Sequence, residues 1–221
     1  MLIQSRGSLL VLPLFALGAS SAVHAADVPA NLADAYGNVP LQFEANQGQV
    51  DDAARFLAHG AGYELYVTSV GAVLVLAKPS ANTADKPTAA VALRMSVIGA
   101  RPSTATSGLN ELPGKANYFI GNDASQWRSN VPTYAKVRHN GVYPGVDLVY
   151  YGRQRQLEYD FVVAPGSNPD QIVLGFDGAD FTELDAQGDL VLHTGAGDVR
   201  QHKPIVYQEA DGVRHTIRRP L

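Results

Sequence analysis

The chain has 221 residues, a net charge of −4 at neutral pH and no cysteine. The acidic balance argues against a protein that grips a nucleic-acid backbone, which needs a basic footprint. The lack of thiols removes disulfides, cysteine nucleophiles, Cys-ligated zinc and iron–sulfur clusters, so packing and strand pairing must hold the fold.

Residues 1–25 read as a secretory signal peptide: Arg6, then the apolar run from Leu9 to Leu17, then Val23-His24-Ala25, with cleavage between Ala25 and Ala26. The run is too short to cross a bilayer, which takes ~20 residues, and no later segment is long and apolar enough. The mature protein is expected to be secreted or held in the cell envelope, without a transmembrane segment. Residues 26–40 form an Ala-rich lead-in, expected to be flexible.

From residue 41 to 221 the pattern is that of one all-β domain, β-sandwich-like, with mostly antiparallel sheets. Leu41 to Gln49 starts it with a short strand and a Gly turn. Arg55–Ala58 reads as a strand, although a short apolar run has no decisive period. Tyr63–Thr68 and Ala72–Ala77 form a hairpin through Ser69-Val70-Gly71. Lys78–Thr88 reads as an exposed loop. Val91–Val97 alternates like a half-buried strand, and Arg101–Gly114, rich in Ser, Thr, Pro and Gly, reads as a second loop. In the second half Leu157, Tyr159, Phe161 and Val163 share one face of a strand, with Glu158 and Asp160 on the other, solvated face. Strands at Asp189–His193 and Ile205–Tyr207 continue the meander, cut by Gln187-Gly188, Ala196-Gly197 and Asp211-Gly212, since Asp-Gly and related pairs suit tight turns. No fixed-period repeat is visible. The last strand, from Arg214, is short and leaves a poorly finished sheet edge; the domain is expected to be truncated there and to belong to a longer protein.

Several segments carry a family likeness. They are Phe43-Glu44-Ala45-Asn46-Gln47-Gly48-Gln49, Phe56-Leu57-Ala58-His59-Gly60, Asn117-Tyr118-Phe119-Ile120-Gly121-Asn122 with Trp127, and Val131-Pro132-Thr133-Tyr134. After them come Val142 to Gly152, Leu157 to Phe161, Pro165-Gly166, Pro204 and Tyr207-Gln208. Together they resemble the N-terminal all-β domain of unknown function in exported bacterial proteins that carry SBBP (beta-propeller) repeats. The resemblance spans roughly Leu41 to Ile217. It implies a module of a secreted or surface protein placed ahead of propeller-type repeats, and it brings no catalytic residues.

Candidate chemistry is sparse. Asp147, Glu158 and Asp160 form the best acidic group: a hairpin would bring them together, and paired carboxylates hydrolyse glycosides. Strand alternation alone also explains Glu158 and Asp160. Asp177, Asp180, Asp185 and Asp189 could supply oxygen ligands to calcium, but their spacing fits no EF-hand and Asp is common in turns. His59, His139, His193, His202 and His215 show no zinc motif and read as turn or surface residues. There is no Gly-x-Ser-x-Gly elbow, P-loop or dinucleotide fingerprint, and no cofactor is implied. Among the aromatic residues, Trp127 and Tyr151 are the candidates for binding a glycan or a surface protein, since each lies beside polar or Gly residues and combines a flat apolar body with a hydrogen-bonding tip. The expectation is a non-enzymatic binding or scaffolding module. A secreted polysaccharide hydrolase using Asp147, Glu158 and Asp160, or a carbohydrate-binding module with a flat aromatic strip, are the alternatives.

Overall fold

A computed structural model describes residues 2–11, 41–60, 62–78, 90–101, 105–153, 156–210 and 213–217. The lead-in at 26–40, most of the first predicted loop, the Asp211-Gly212 turn and the signal-peptide residues other than 2–11 lie outside these. The strands in chain order are β1 (Leu2–Val11), β2 (Phe43–Ala45), β3 (Ala54–His59), β4 (Tyr63–Thr68), β5 (Gly71–Ala77), β6 (Ala90–Val97), β7 (Thr106–Tyr118) and β8 (Arg128–Tyr143). After these come β9 (Val146–Arg153), β10 (Gln156–Val163), β11 (Leu174–Asp177), β12 (Phe181–Leu184), β13 (Leu190–Thr194), β14 (Gly197–Gln201), β15 (Ile205–Ala210) and β16 (Val213–Thr216). Two single 3-10 turns, Ala124–Gln126 and Pro169–Gln171, are the only helical elements among the described residues.

The all-β, antiparallel reading is correct. The layering comes from one continuous sheet that curls into a half-barrel. Two strands make the curl. β8 has β7 along one edge, and first β2 and then β9 along the other. β1 likewise pairs with β10 on one side, and with β15 and then β14 on the other. The terminal strands of the sheet order, β11 and β12, are consecutive in the chain. The link between them requires Gly178, whose φ is +93° and where a Cβ would stand 2.1 Å from the Ala92 carbonyl oxygen.

The core lies inside the curl. Tyr63, Leu65 and Val67 of β4, Leu74 and Leu76 of β5, and Leu93 and Met95 of β6 meet Val137, Leu148, Tyr150, Leu157, Tyr159 and Phe161 from β8, β9 and β10 in one cluster. This is the period-2 pattern of the sequence turned into packing: one face of each strand is apolar because it faces the other half of the same sheet.

Two features depart from the sequence expectations. Thr106–Gly114 is not loop but the greater part of β7, which pairs with β8. Glycine and proline obscured it. Among the described strands β7 pairs only with β8, so its other edge tolerates Pro113, and the register slips between Glu111 and Lys115. Gly108 is there because the Tyr134 ring lies over it; a Cβ would meet that ring at 2.4 Å. The second departure is His139. It is not at the surface but 1% exposed, edge-on to Tyr150, with Nδ1 2.8 Å from the Thr106 hydroxyl.

Candidate functional site

The acidic hairpin is assembled as the sequence suggests, but it is not a cleft. The β9–β10 register sets Asp147 opposite Val162, Val149 opposite Asp160 and Tyr151 opposite Glu158, so all three carboxylates share one face. That face is not solvated: Glu158 and Asp160 are 7% and 8% exposed. The alternation correctly put them off the core face. It could not show that further strands would cover the outer side as well. Asp160 accepts hydrogen bonds from the Tyr151 hydroxyl at 3.0 Å and the Tyr207 hydroxyl at 3.3 Å. Asp147 is paired with Arg138 and accepts from the Gly141 amide at 2.7 Å. Asp147 and Asp160 are thus committed to neighbours within the fold.

Two of the four aspartates considered for calcium, Asp185 and Asp189, are engaged likewise. The Asp185 carboxylate is partly buried, which disfavours its charge, yet the amides of Asp189 and Gln187 and the Arg200 guanidinium outweigh this and hold it below the usual carboxylate range. Asp189 is held low by the Lys203 amide and His202. Both therefore point at N–H donors. No group of three or more His, Asp or Glu among the described residues is arranged to hold a metal ion.

Trp127 and Tyr151 are not brought together. Tyr151 is half-buried against Asp160, with the Lys136 ammonium 5.5 Å from its ring centre. Trp127 is 41% exposed and follows the Ala124–Gln126 turn. It packs edge-to-face on Phe119 at 5.3 Å. Phe119 and Ile120 are 62% and 70% exposed, so these three side chains make a protruding apolar tip. The tip is braced. Asp123 caps the turn by accepting from the Ser125 amide at 2.9 Å, and the Trp127 indole donates to the Gly121 carbonyl at 3.2 Å. Arg128 donates to the carbonyls of Ser125, Trp127 and Gln47, which ties this loop to the β2–β3 loop. Asn46 organises that second loop, donating to the carbonyls of Val50, Asp51 and Ala54.

Beside the tip lies a cluster the sequence did not reveal. The Tyr118 hydroxyl donates to Glu44. His59 stands 3.9 Å from Glu44 and 4.0 Å from Glu64, and its Nε2 is 3.5 Å from the Tyr118 oxygen. Tyr66 donates to Glu64. Burial, then Glu64, pushes Tyr66 up to about 12; burial, then Glu44, pushes Tyr118 higher still. The residues come from β2, β3, β4 and β7, so no local spacing could announce them. Their one trace in the sequence is that Glu44, His59 and Tyr118 each fall in a segment that carries the family likeness. A cleft of about 400 Å³ opens alongside, lined in part by His59, Tyr63 and Glu64. The chemistry on offer is an acidic surface with one histidine, next to a rigid apolar prominence.

Residues 43–219 match the family model described as a domain of unknown function (DUF7948). No curated protein and no solved structure matches the chain.

Proposed function

The chain belongs to the DUF7948 family, and from that premise we propose that it is a non-catalytic binding module of an exported or surface protein. The finer family reading, a domain standing ahead of propeller-type SBBP repeats, is part of this proposal and rests on the resemblance in the sequence. The observation that carries the binding reading is the Phe119–Ile120–Trp127 tip: three large apolar side chains left exposed on a loop whose geometry is fixed by Asp123 and Arg128. Exposed aromatic side chains held in one conformation lose little entropy on binding, so their burial goes into affinity.

The ring geometry favours a protein partner over a glycan. The planes of Phe119 and Trp127 cross at 77°, whereas a sugar-binding strip needs a flat face. The Glu44–His59–Glu64 cluster next to the tip favours a partner with an apolar plug and a basic rim. The hydrolase alternative loses support because Glu158 and Asp160 are buried and Asp160 is held by tyrosines.

The test is a photocrosslinking residue in place of Ile120, in the cells that make the protein. A discrete protein adduct is expected, and it should disappear when Trp127→Ala and Phe119→Ala are added. No adduct would count against the reading. So would release of sugar from polysaccharide by the purified protein, if a folded Glu158→Gln variant lost it.

A further inference from the structure

The segment expected to be removed on export is also a strand inside the sheet. β1 takes the position between β10 and the pair β14 and β15, with Ile3 to Leu9 in register with Val163 to Leu157. On its other side Leu2 to Arg6 pair with Glu209 to Ile205, and Leu9 to Val11 with Gln201 to Val199. Among the described residues β10 does not itself pair with β14 or β15. The family match starts at residue 43 and does not include this strand. Cleavage after Ala25 would leave three strand edges with unpaired amides and carbonyls facing one gap, and such edges recruit another strand.

The walls of the gap say what suits it. On the core side β10 presents Leu157, Tyr159, Phe161 and Val163, all buried. On the outer side it presents Glu158 and Asp160. Glu158 Oε2 on this side, and Gln201 Oε1 on β14 and Gln208 Nε2 on β15 in the core-side row, are buried without a hydrogen-bond partner. Left so, each costs free energy. The register position opposite Asp160 is filled by Arg6. A fitting occupant is therefore an extended segment of about seven residues, with small or apolar side chains at the alternate positions facing Tyr159 and Phe161, a basic residue opposite Asp160 and a polar one opposite Glu158.

We infer that loss of the leader uncovers a strand-acceptor groove between β10 and β14/β15, which takes an extended, basic-centred segment of another polypeptide. Main-chain hydrogen bonds would give the affinity and alternate side chains the specificity, as in other strand-addition complexes. The opening of the groove in the cell rests on the export reading; its chemistry does not.

The experiment uses the full chain with a protease site inserted between residues 26 and 40, folded and then cut. The probe is a labelled synthetic peptide of residues 2–11, followed by fluorescence anisotropy. The cut protein is expected to exchange its own N-terminal piece for the probe. An Arg6→Glu probe should bind at least tenfold more weakly, and a Gly7→Pro probe not at all, because proline removes a ladder donor. If cutting unfolds the protein and the peptide restores it, the groove is supported; if the peptide fails to restore it, the groove is refuted. A cut protein that keeps its melting curve and takes up no peptide has closed β10 onto β14 and β15, which overturns the proposal. Dimerisation in place of peptide uptake puts a second copy in the groove and overturns the occupant named. Equal binding of the Arg6→Glu probe overturns the basic requirement. Export is read separately, by N-terminal sequencing of protein recovered outside the cytoplasm. Ala26 is expected first, and an intact Met1 there overturns the natural opening whatever the cut chain does.

Discussion

The His139 ring is enclosed by Tyr150 and Thr106, and its Nε2 has no hydrogen-bond partner. Burial pushes the imidazole down to about 4, against an ordinary histidine near 6.5. Between those values the unfolded chain takes up a proton that the folded chain refuses, so stability falls as pH drops from 6.5 to 4. The loss should reach roughly 3 kcal/mol by pH 4, at about 1.4 kcal/mol per unit. Urea titrations across that range check it, and His139→Gln is expected to remove this part of the slope. The lowered carboxyls of Asp185 and Asp189 act in a separate window: their stabilisation is present above the usual carboxylate range and is lost as pH falls below it. At the tip the expectation is reversed. Trp127 contributes little to the core, so Trp127→Ala should shift stability by no more than about 1 kcal/mol while removing the crosslinked adduct.

Among the elements, the hairpin β4–β5 and the strands β6, β9 and β10 were legible in the sequence, because their apolar residues alternate against one core and the turns carry glycine. β7 was not. Its pairing with β8 is spread over two register shifts, and Gly108, Pro113 and Gly114 give it the composition of a loop. The outer faces were illegible for a related reason. Alternation reports which face meets the core, but whether the other face is later covered depends on strands far along the chain, as Tyr207 over Asp160 shows. The same limit hid the Glu44–His59–Tyr118 cluster, whose members sit on three different strands, while Trp127 was found because a local turn exposes it. One glycine tests the element scale directly. Gly178→Ala puts a methyl 2.1 Å from the Ala92 carbonyl at a φ of +93°. It should cost at least about 2 kcal/mol, measurable as a lower urea midpoint.

For the whole molecule, the β11 end of the curled sheet is tied back to the middle of the sheet at β8. The Tyr143 hydroxyl, at the end of β8, donates to the Ile98 carbonyl beyond β6 and accepts from the Val173 amide at 3.4 Å, just before β11. One side chain thus joins three parts of the fold. Tyr143→Phe keeps the packing and removes both bonds. Stability should fall by about 1–2 kcal/mol, read as a melting temperature lower by roughly 3–6 °C.

The place of β11 also bears on how the chain is made. β6 is complete once Val97 has left the ribosome, yet the strand that covers its outer edge is Leu174–Asp177. Throughout the synthesis of the intervening segment the apolar β4–β5–β6 sheet has an open edge, and an open edge in an unfinished chain is where aggregation begins. The nascent protein therefore depends on being held apart from its neighbours until β11 emerges, and a translational pause between β6 and β11 would be more damaging than the same pause after it.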